Sequence, residues 1–180
     1  MSTVKGKRML TAEESAAIND LVRESSRREA AADALRIVQR HRGWISNESL
    51  HDVAAFLGMA ESSLETIATF YNRIYRKPVG RHLIFLCDSV SCWMMGFESV
   101  RKRLLDQLGL PSMPGTSADN LFTLLPATCL GACDHAPAMM VDDELFCDLT
   151  PAKIDEILAR FRSGATAVAS VPEWGTADQR

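Results

Sequence analysis

The sequence predicts an α/β chain in which a helical N-terminal region precedes a small sheet-containing one. Three observations carry this reading. Residues 11 to about 75 repeat apolar side chains at helical spacing, and near residue 82 the period changes, where HLIFLC opens a set of short β-prone runs. The 180 residues give one ordinary domain with room for a small second one, at about 150 residues per domain. Hydrophobic residues make up 47% and charged ones 24%, globular proportions that exclude wholesale disorder and fibrous repeats. Twenty Lys and Arg against 23 Asp and Glu leave a net charge of −3, which gives no electrostatic basis for nucleic acid as a main partner.

The helices follow in order. Thr11 and Glu14 stand at capping-box spacing ahead of Ile18, Leu21 and Val22 on one face. A second helix carries Ala31, Ala34, Leu35 and Val38 and stops near Gly43. Ser46 or Asn47 caps a third, with Leu50, Val53, Ala54 and Leu57 at i, i+3, i+4 and i+7 before Gly58. The fourth repeats the template with Leu64, Ile67, Ala68 and Tyr71 and ends before Pro78 and Gly80.

His82 to Cys87 then reads as a strand, 94 to 109 as a helix closing at Gly109, and Leu121 to Leu125 as a second strand, together a β-α-β unit. Ala138 to Val141 and Leu145 to Leu149 flank Asp142 and Asp143 as a hairpin. Thr150 caps a last helix with Pro151 at its first position, running to about Arg162. The tail from 164 to 180 is small, polar and aperiodic, and is expected to be loosely ordered unless a partner captures Trp174. The longest apolar run, Val53 to Ala60, is far below the roughly 18 to 20 residues of a spanning helix, so no membrane insertion is expected. The first residues lack an apolar stretch of signal-peptide length and carry acids early, which points to the cytoplasmic side.

Five cysteines in a reducing compartment favour metal or redox chemistry over a disulfide framework. Cys87 and Cys92 enclose four residues, Cys129 and Cys133 enclose three, and 36 residues separate the pairs. Each pair follows a predicted strand. A helix and a strand between them satisfy a parallel crossover, so both strands end at one edge of the sheet and the two loops lie side by side. Soft thiolates at such a point suit zinc or an iron-sulfur cluster; loops of four and three do not point specifically to zinc, and two pairs suit the two irons of a 2Fe-2S cluster. Burial as small hydrophobes is the plain alternative, disfavoured by the polar or Gly-containing loops with Asp88, Ser89, Ser91, Gly131 and Asp134. Cys147, alone in a hairpin strand, is read as core packing.

Over about residues 11 to 162 the chain resembles the thioredoxin-like 2Fe-2S subunits of bacterial NADH:quinone oxidoreductase, respiratory complex I. The segments that carry the resemblance are LRIVQRHRGWI at 35 to 45, ATFYNRIYRKPVGRH at 68 to 82, CDSVSC at 87 to 92, FTLLPATCLGACDHAPAMMVDD at 122 to 143 and LTPAKIDEIL at 149 to 158. It implies a helical bundle over 1–78, a thioredoxin-like 2Fe-2S domain over 79–163 and a tail that matches nothing in the family pattern. It implies one 2Fe-2S cluster on Cys87, Cys92, Cys129 and Cys133, which exchanges single electrons with FMN on a neighbouring NADH-oxidising flavin subunit. Other peripheral-arm subunits are implied partners, on the cytoplasmic side of the bacterial inner membrane. Related subunits of NAD-linked formate dehydrogenases and NAD-reducing hydrogenases are the alternative hosts. A redox-inactive interaction module, with zinc on the same four cysteines, is the alternative of a different class.

No Gly-rich phosphate loop follows a strand and no flavin or NAD motif is found, so substrate turnover is not expected from the chain alone. An oxidised cluster with four thiolates is formally about −2 and a reduced one about −3, and Asp88 and Asp134 beside the ligands would lower its potential while N–H groups near Gly131 and Ala132 oppose them. His135 is assigned to loop structure rather than a Rieske-like ligand, and Trp93 to shielding, partner contact or packing. Arg73, Arg76, Lys77 and Arg81 are read as a solvated helix end, with docking to an acidic partner as the alternative. Met94, Met95, Met139 and Met140 are expected to fill core.

Overall fold

Thr11 opens the first helix in the way its spacing to Glu14 predicts. In the computed structural model, which describes residues 10–164, α1 runs Ala12–Glu24; the Thr11 hydroxyl accepts from the Glu14 N–H and the Glu14 carboxylate accepts from the Thr11 N–H. The tail with Trp174 lies outside the described residues. These residues divide into two units, one ending at Val79 and one starting at Gly80. Among the described residues no helix is long and apolar enough to cross a membrane.

In the first unit α2 (Ala31–Arg42), α3 (Asn47–Leu57) and α4 (Glu61–Phe70) follow α1. Ser46 is the cap of α3, accepting from the Ser49 N–H, and Gly58 ends that helix in a left-handed conformation. Ile18, Ala34, Leu35, Val38, Leu50, Val53, Leu57 and Leu64 bury their side chains in one core, as the helical spacing requires. α4 is shorter than predicted. It stops at Phe70 and leaves Tyr71 partly exposed, because Gln39 of α2 takes up the backbone that follows: its Nε2 donates to the Arg73 carbonyl at 2.9 Å and its Oε1 accepts from the Tyr75 N–H at 2.7 Å. Arg76 is therefore not a solvated helix-end cation. It pairs with Glu65 at 2.9 Å, donates to Asn47 at 2.8 Å and to the Ile45 carbonyl, and holds the α2–α3 connection to the end of the unit.

Glu14 has a second partner. It is fully buried and receives Arg42 in a two-pronged bond, Nε to Oε1 at 2.9 Å and Nη2 to Oε2 at 2.7 Å, while Arg42 Nη1 donates to Ser49 at 3.0 Å. Burial opposes ionisation of Glu14, but Arg42 and the Thr11 N–H outweigh it and hold the carboxyl below its ordinary pKa. A depressed carboxyl contributes stability that is present at neutral pH and is lost as pH falls through the folded-state value. Glu14→Gln is expected to lower stability at pH 7 by about 1–3 kcal/mol and to flatten the acid limb of the stability curve. Urea denaturation from pH 7 to 3 measures both effects.

The second unit is a five-stranded sheet in the order β2-β3-β1-β4-β5 with three helices. β1 (His82–Cys87) pairs in parallel with β3 (Phe122–Ala127), in register from His82 opposite Phe122 to Cys87 opposite Ala127. The short β2 (Gly115–Thr116), absent from the sequence reading, adds antiparallel to β3. β4 (Met139–Val141) is antiparallel to β1, and β5 (Glu144–Phe146) closes the hairpin. Ile84, Leu86, Phe122, Leu124, Met139 and Val141 form one apolar face. Against it pack α6 (Phe97–Leu108), through Val100 and Leu104, and α7 (Pro151–Arg162), through Ile154, Leu158 and Phe161. Thr150 caps α7 with Pro151 following, as predicted.

The helix predicted over 94–109 is two helices. α5 (Val90–Met94) is separated from α6 by Gly96, whose φ of +110° a right-handed helix cannot contain. The hairpin is held to β1 by Asp142: its N–H donates to the Leu83 carbonyl at 2.8 Å, its Oδ1 accepts from the Leu83 N–H at 2.9 Å, and its Oδ2 lies 2.8 Å from Nδ1 of the buried His82. The register of β4 against β1 starts from that clasp. Asp142→Ala is expected to destabilise the protein by about 1–3 kcal/mol, because the Leu83 N–H and the His82 ring lose their acceptor; the unfolding midpoint in urea at unchanged slope is the readout.

Candidate metal centre

Both cysteine pairs stand where the parallel pairing of β1 and β3 predicts. Cys87 is the last residue of β1, and its Cα partner, Ala127, ends β3 two residues before Cys129. The Asp88 N–H donates to the Ala127 carbonyl at 2.9 Å and the Cys87 N–H to the Ala138 carbonyl at 3.1 Å, so β3 and the approach to β4 flank the end of β1. One turn of α5 then carries Cys92 back toward Cys87. Cys129 and Cys133 lie on the loop after β3, which ends in a 3-10 turn over Cys133–His135.

The four sulfurs form a linked set. Cys129 and Cys133 Sγ atoms are 3.7 Å apart, and the Cys87 thiol is near enough to act on the ionisation of both Cys92 and Cys129. Sulfurs at about 2.3 Å from a tetrahedral metal are separated by about 3.8 Å, a spacing that the Cys129–Cys133 pair matches. Cys129 neighbours both Cys133 and Cys87, so the two loops bring their thiols together, a soft donor set of the kind that suits zinc or an iron-sulfur cluster.

Burial differs between the pairs. Cys87 and Cys92 are buried, Cys129 and Cys133 exposed. Burial, and then the Cys87 thiol, push Cys92 up to about 11. The Gly131 N–H, 3.4 Å from Cys129 Sγ, and then Cys133 hold Cys129 below its ordinary value, and Cys133 is raised by donating to Cys129 and by lying beside its charge. Gly131 reaches that sulfur at a φ of +83°, which favours glycine. A metal supplies the charge that burial withholds: its binding displaces the thiol protons.

Two serines that the sequence marks only as polar loop residues contact the sulfurs. Ser89 precedes α5 but makes no capping bond there; its hydroxyl favours the Cys129 thiolate instead, and that of Ser91 the Cys133 thiolate. The signal is present in CDSVSC, where a serine stands on each side of Val90, but their partners come from a loop about 40 residues away. Asp88 and Asp134 are exposed, so solvent screens the effect on the site that the sequence alone assigns them. His135 lies outside the thiol set, with Nδ1 3.2 Å from Asp148 and Nε2 3.6 Å from Asp134.

Cys147 is not in a strand. β5 ends at Phe146, and Cys147 packs, half-buried, against Cys87, Cys92, Ala136 and Ala138, with its thiol raised by burial and then by Asp148 and Asp134. It is a wall of the site rather than part of the main core. Met139 fills the core and Met140 is half-buried, but Met94 and Met95 are exposed and fill none, because α5 turns its inward side over to Cys92.

The family pattern of the thioredoxin-like [2Fe-2S] ferredoxins matches residues 17–162. The E subunit of NADH-quinone oxidoreductase from Escherichia coli K12 is 45% identical over 136 residues, which cover 75% of this chain and 81% of that protein. The E subunit from Pseudomonas aeruginosa is 44% identical over 134 residues, covering 74% and 80%. Among solved structures, a chain of the NAD+-reducing [NiFe]-hydrogenase in the air-oxidised state superposes with a TM-score of 0.66 over 83% of this chain at 19% identity, a likeness of fold. This chain spans about a quarter of that one, 26%. With the pattern matched over most of its length and relatives at this identity, the chain belongs to the thioredoxin-like [2Fe-2S] ferredoxin family, whose cofactor is one 2Fe-2S cluster.

Proposed function

We propose that the chain is the electron-transfer subunit of an NADH:quinone oxidoreductase, with Cys87, Cys92, Cys129 and Cys133 as the ligands of its cluster. The observation that carries the reading is the juxtaposition of two cysteine pairs at one edge of a parallel strand pair, in a chain 45% identical to a named part of that complex. In this reading Cys87 and Cys92 hold one iron, Cys129 and Cys133 the other. The cluster supplies a reversible one-electron site when bound. The protein's own part is to fix the thiolates, to turn the Gly131 N–H and the Ser89 and Ser91 hydroxyls toward them, and to keep water from the buried pair.

The division of labour implies a helical domain over 1–78, a cluster domain over 79–163 and a partner that binds FMN and NADH, in a complex on the cytoplasmic side of the inner membrane. A hydrogenase or formate dehydrogenase host is the second reading, and the fold likeness to the NAD+-reducing hydrogenase is the observation that favours it.

Cys87→Ser and Cys129→Ser are expected to bleach or destabilise the cluster, and Cys147→Ser to leave its visible spectrum in place. Iron and sulfide analysis of the anaerobically purified variants checks this. Full occupancy in Cys129→Ser, or loss in Cys147→Ser, contradicts the ligand set. The isolated chain is expected to show no NADH oxidation and no NADH binding in calorimetry, with activity appearing only when the flavin subunit is added; tight binding by the chain alone contradicts the division of labour.

A further inference from the structure

The four thiols differ in what a reagent in water can reach. Cys87 and Cys92 are each 2% exposed, packed with Ala136 and Ala138, whereas Cys129 and Cys133 are exposed. The exposed sulfurs are also 3.7 Å apart on one short loop. Leu130, Gly131 and Ala132 separate them, and Gly131, at a φ of +83°, folds the loop so that its N–H points at Cys129 Sγ from 3.4 Å. A donor at that place stabilises the charge that an attacking sulfur carries.

A disulfide holds its sulfurs at about 2.05 Å. From 3.7 Å the gap closes by rotation about the two Cα–Cβ bonds without moving a strand, since neither cysteine lies in one. Cys87 also neighbours Cys129, but it ends β1, where its N–H is bonded to the Ala138 carbonyl and the next N–H, of Asp88, to the Ala127 carbonyl. The loop cysteine has the freedom to swing and Cys87 has not. Thiol–disulfide exchange passes through a mixed disulfide, so the reagent has to touch the attacking sulfur, and only the exposed pair offers that approach.

We propose that Cys129 and Cys133 are a reversible oxidation site of the chain before its cluster is built, at which a small-molecule disulfide is the oxidant. The Cys129 thiolate attacks one sulfur of the reagent; the reagent's S–S bond breaks and its first thiolate leaves. Cys133 then attacks the Cys129 sulfur of the mixed disulfide, gives up its proton, and expels the second thiolate. Two protein thiols are oxidised, one reagent disulfide is reduced to two thiols, and both protons end on those thiols. A sulfur in a disulfide has no thiolate to offer a metal. The consequence, which rests on the proposed ligand set, is that the oxidised chain cannot take up its cluster until it is reduced.

The test uses the full chain expressed under iron limitation, purified anaerobically and treated with hydroxyethyl disulfide, an uncharged reagent that the exposed Asp88 and Asp134 do not repel. Circular dichroism comes first: loss of the helix and sheet signal overturns the proposal, because the pair exists only in the fold. Remaining thiols are then alkylated in urea and the peptides mapped by mass without reductant. The expected map has one disulfide, Cys129–Cys133, with Cys87, Cys92 and Cys147 alkylated. Cys133→Ser is expected to stop at the mixed disulfide on Cys129. The oxidised chain is expected to lose uptake of iron and sulfide, and to regain it on addition of dithiothreitol. A disulfide that includes Cys87, Cys92 or Cys147, no disulfide at all, or undiminished cluster uptake by the oxidised chain overturns the proposal. The expected map in a chain that, once reduced, takes up only zinc would sink the functional reading and leave the oxidation site standing.

Discussion

Because β1 and β3 run parallel and in register from His82 to Cys87, both strands deliver their following loops to the same edge of the sheet, and the rest of the site is a consequence. Cys87 lies opposite Ala127, so a loop of only two further residues reaches Cys129. Antiparallel pairing would place the two cysteine loops at opposite ends. The pairing is itself held from both sides: Asp142 fixes β4 at the start of β1, and the Cys87 N–H closes on the Ala138 carbonyl at its end. Ile84, Leu86, Phe122 and Leu124 face α6 and α7, and a one-residue slip of β3 would turn the polar Thr123 into that core.

That constraint explains which parts are legible in the sequence. HLIFLC reads as a strand because parallel strands are buried on both faces and form continuous apolar runs. The capping residues Thr11, Ser46 and Thr150 are legible because a cap is a local bond between neighbours, and all three cap as expected. The parallel relation follows from the length of the crossover. What the sequence hides depends on partners distant along the chain. Nothing near Tyr71 announces that Gln39 captures the backbone after Phe70, and nothing in the basic run marks Arg76 as bound to Glu65, Asn47 and Ile45.

Two departures from expectation lie near the site. Gly96 sits within an apparently continuous helical pattern, but its positive φ turns the chain between α5 and α6, so Met94 and Met95 face solvent instead of the core. Cys147 looks isolated because sequence distance hides the turn that brings it against Cys87 and Cys92. The uneven burial of the two pairs arises because β1 is a central strand and the Cys129–Cys133 loop lies at the rim.

On the proposed function, Cys87, Cys92, Cys129 and Cys133 hold one binuclear iron-sulfur cluster. Mössbauer spectroscopy of the iron-57-enriched, anaerobically purified chain tests it most directly, combined with iron and sulfide analysis. The account predicts two irons and two sulfides per chain, all iron ferric and sulfur-coordinated in the oxidised form, with one iron becoming ferrous on one-electron reduction. One metal ion per chain without sulfide, whether iron or zinc, would contradict it.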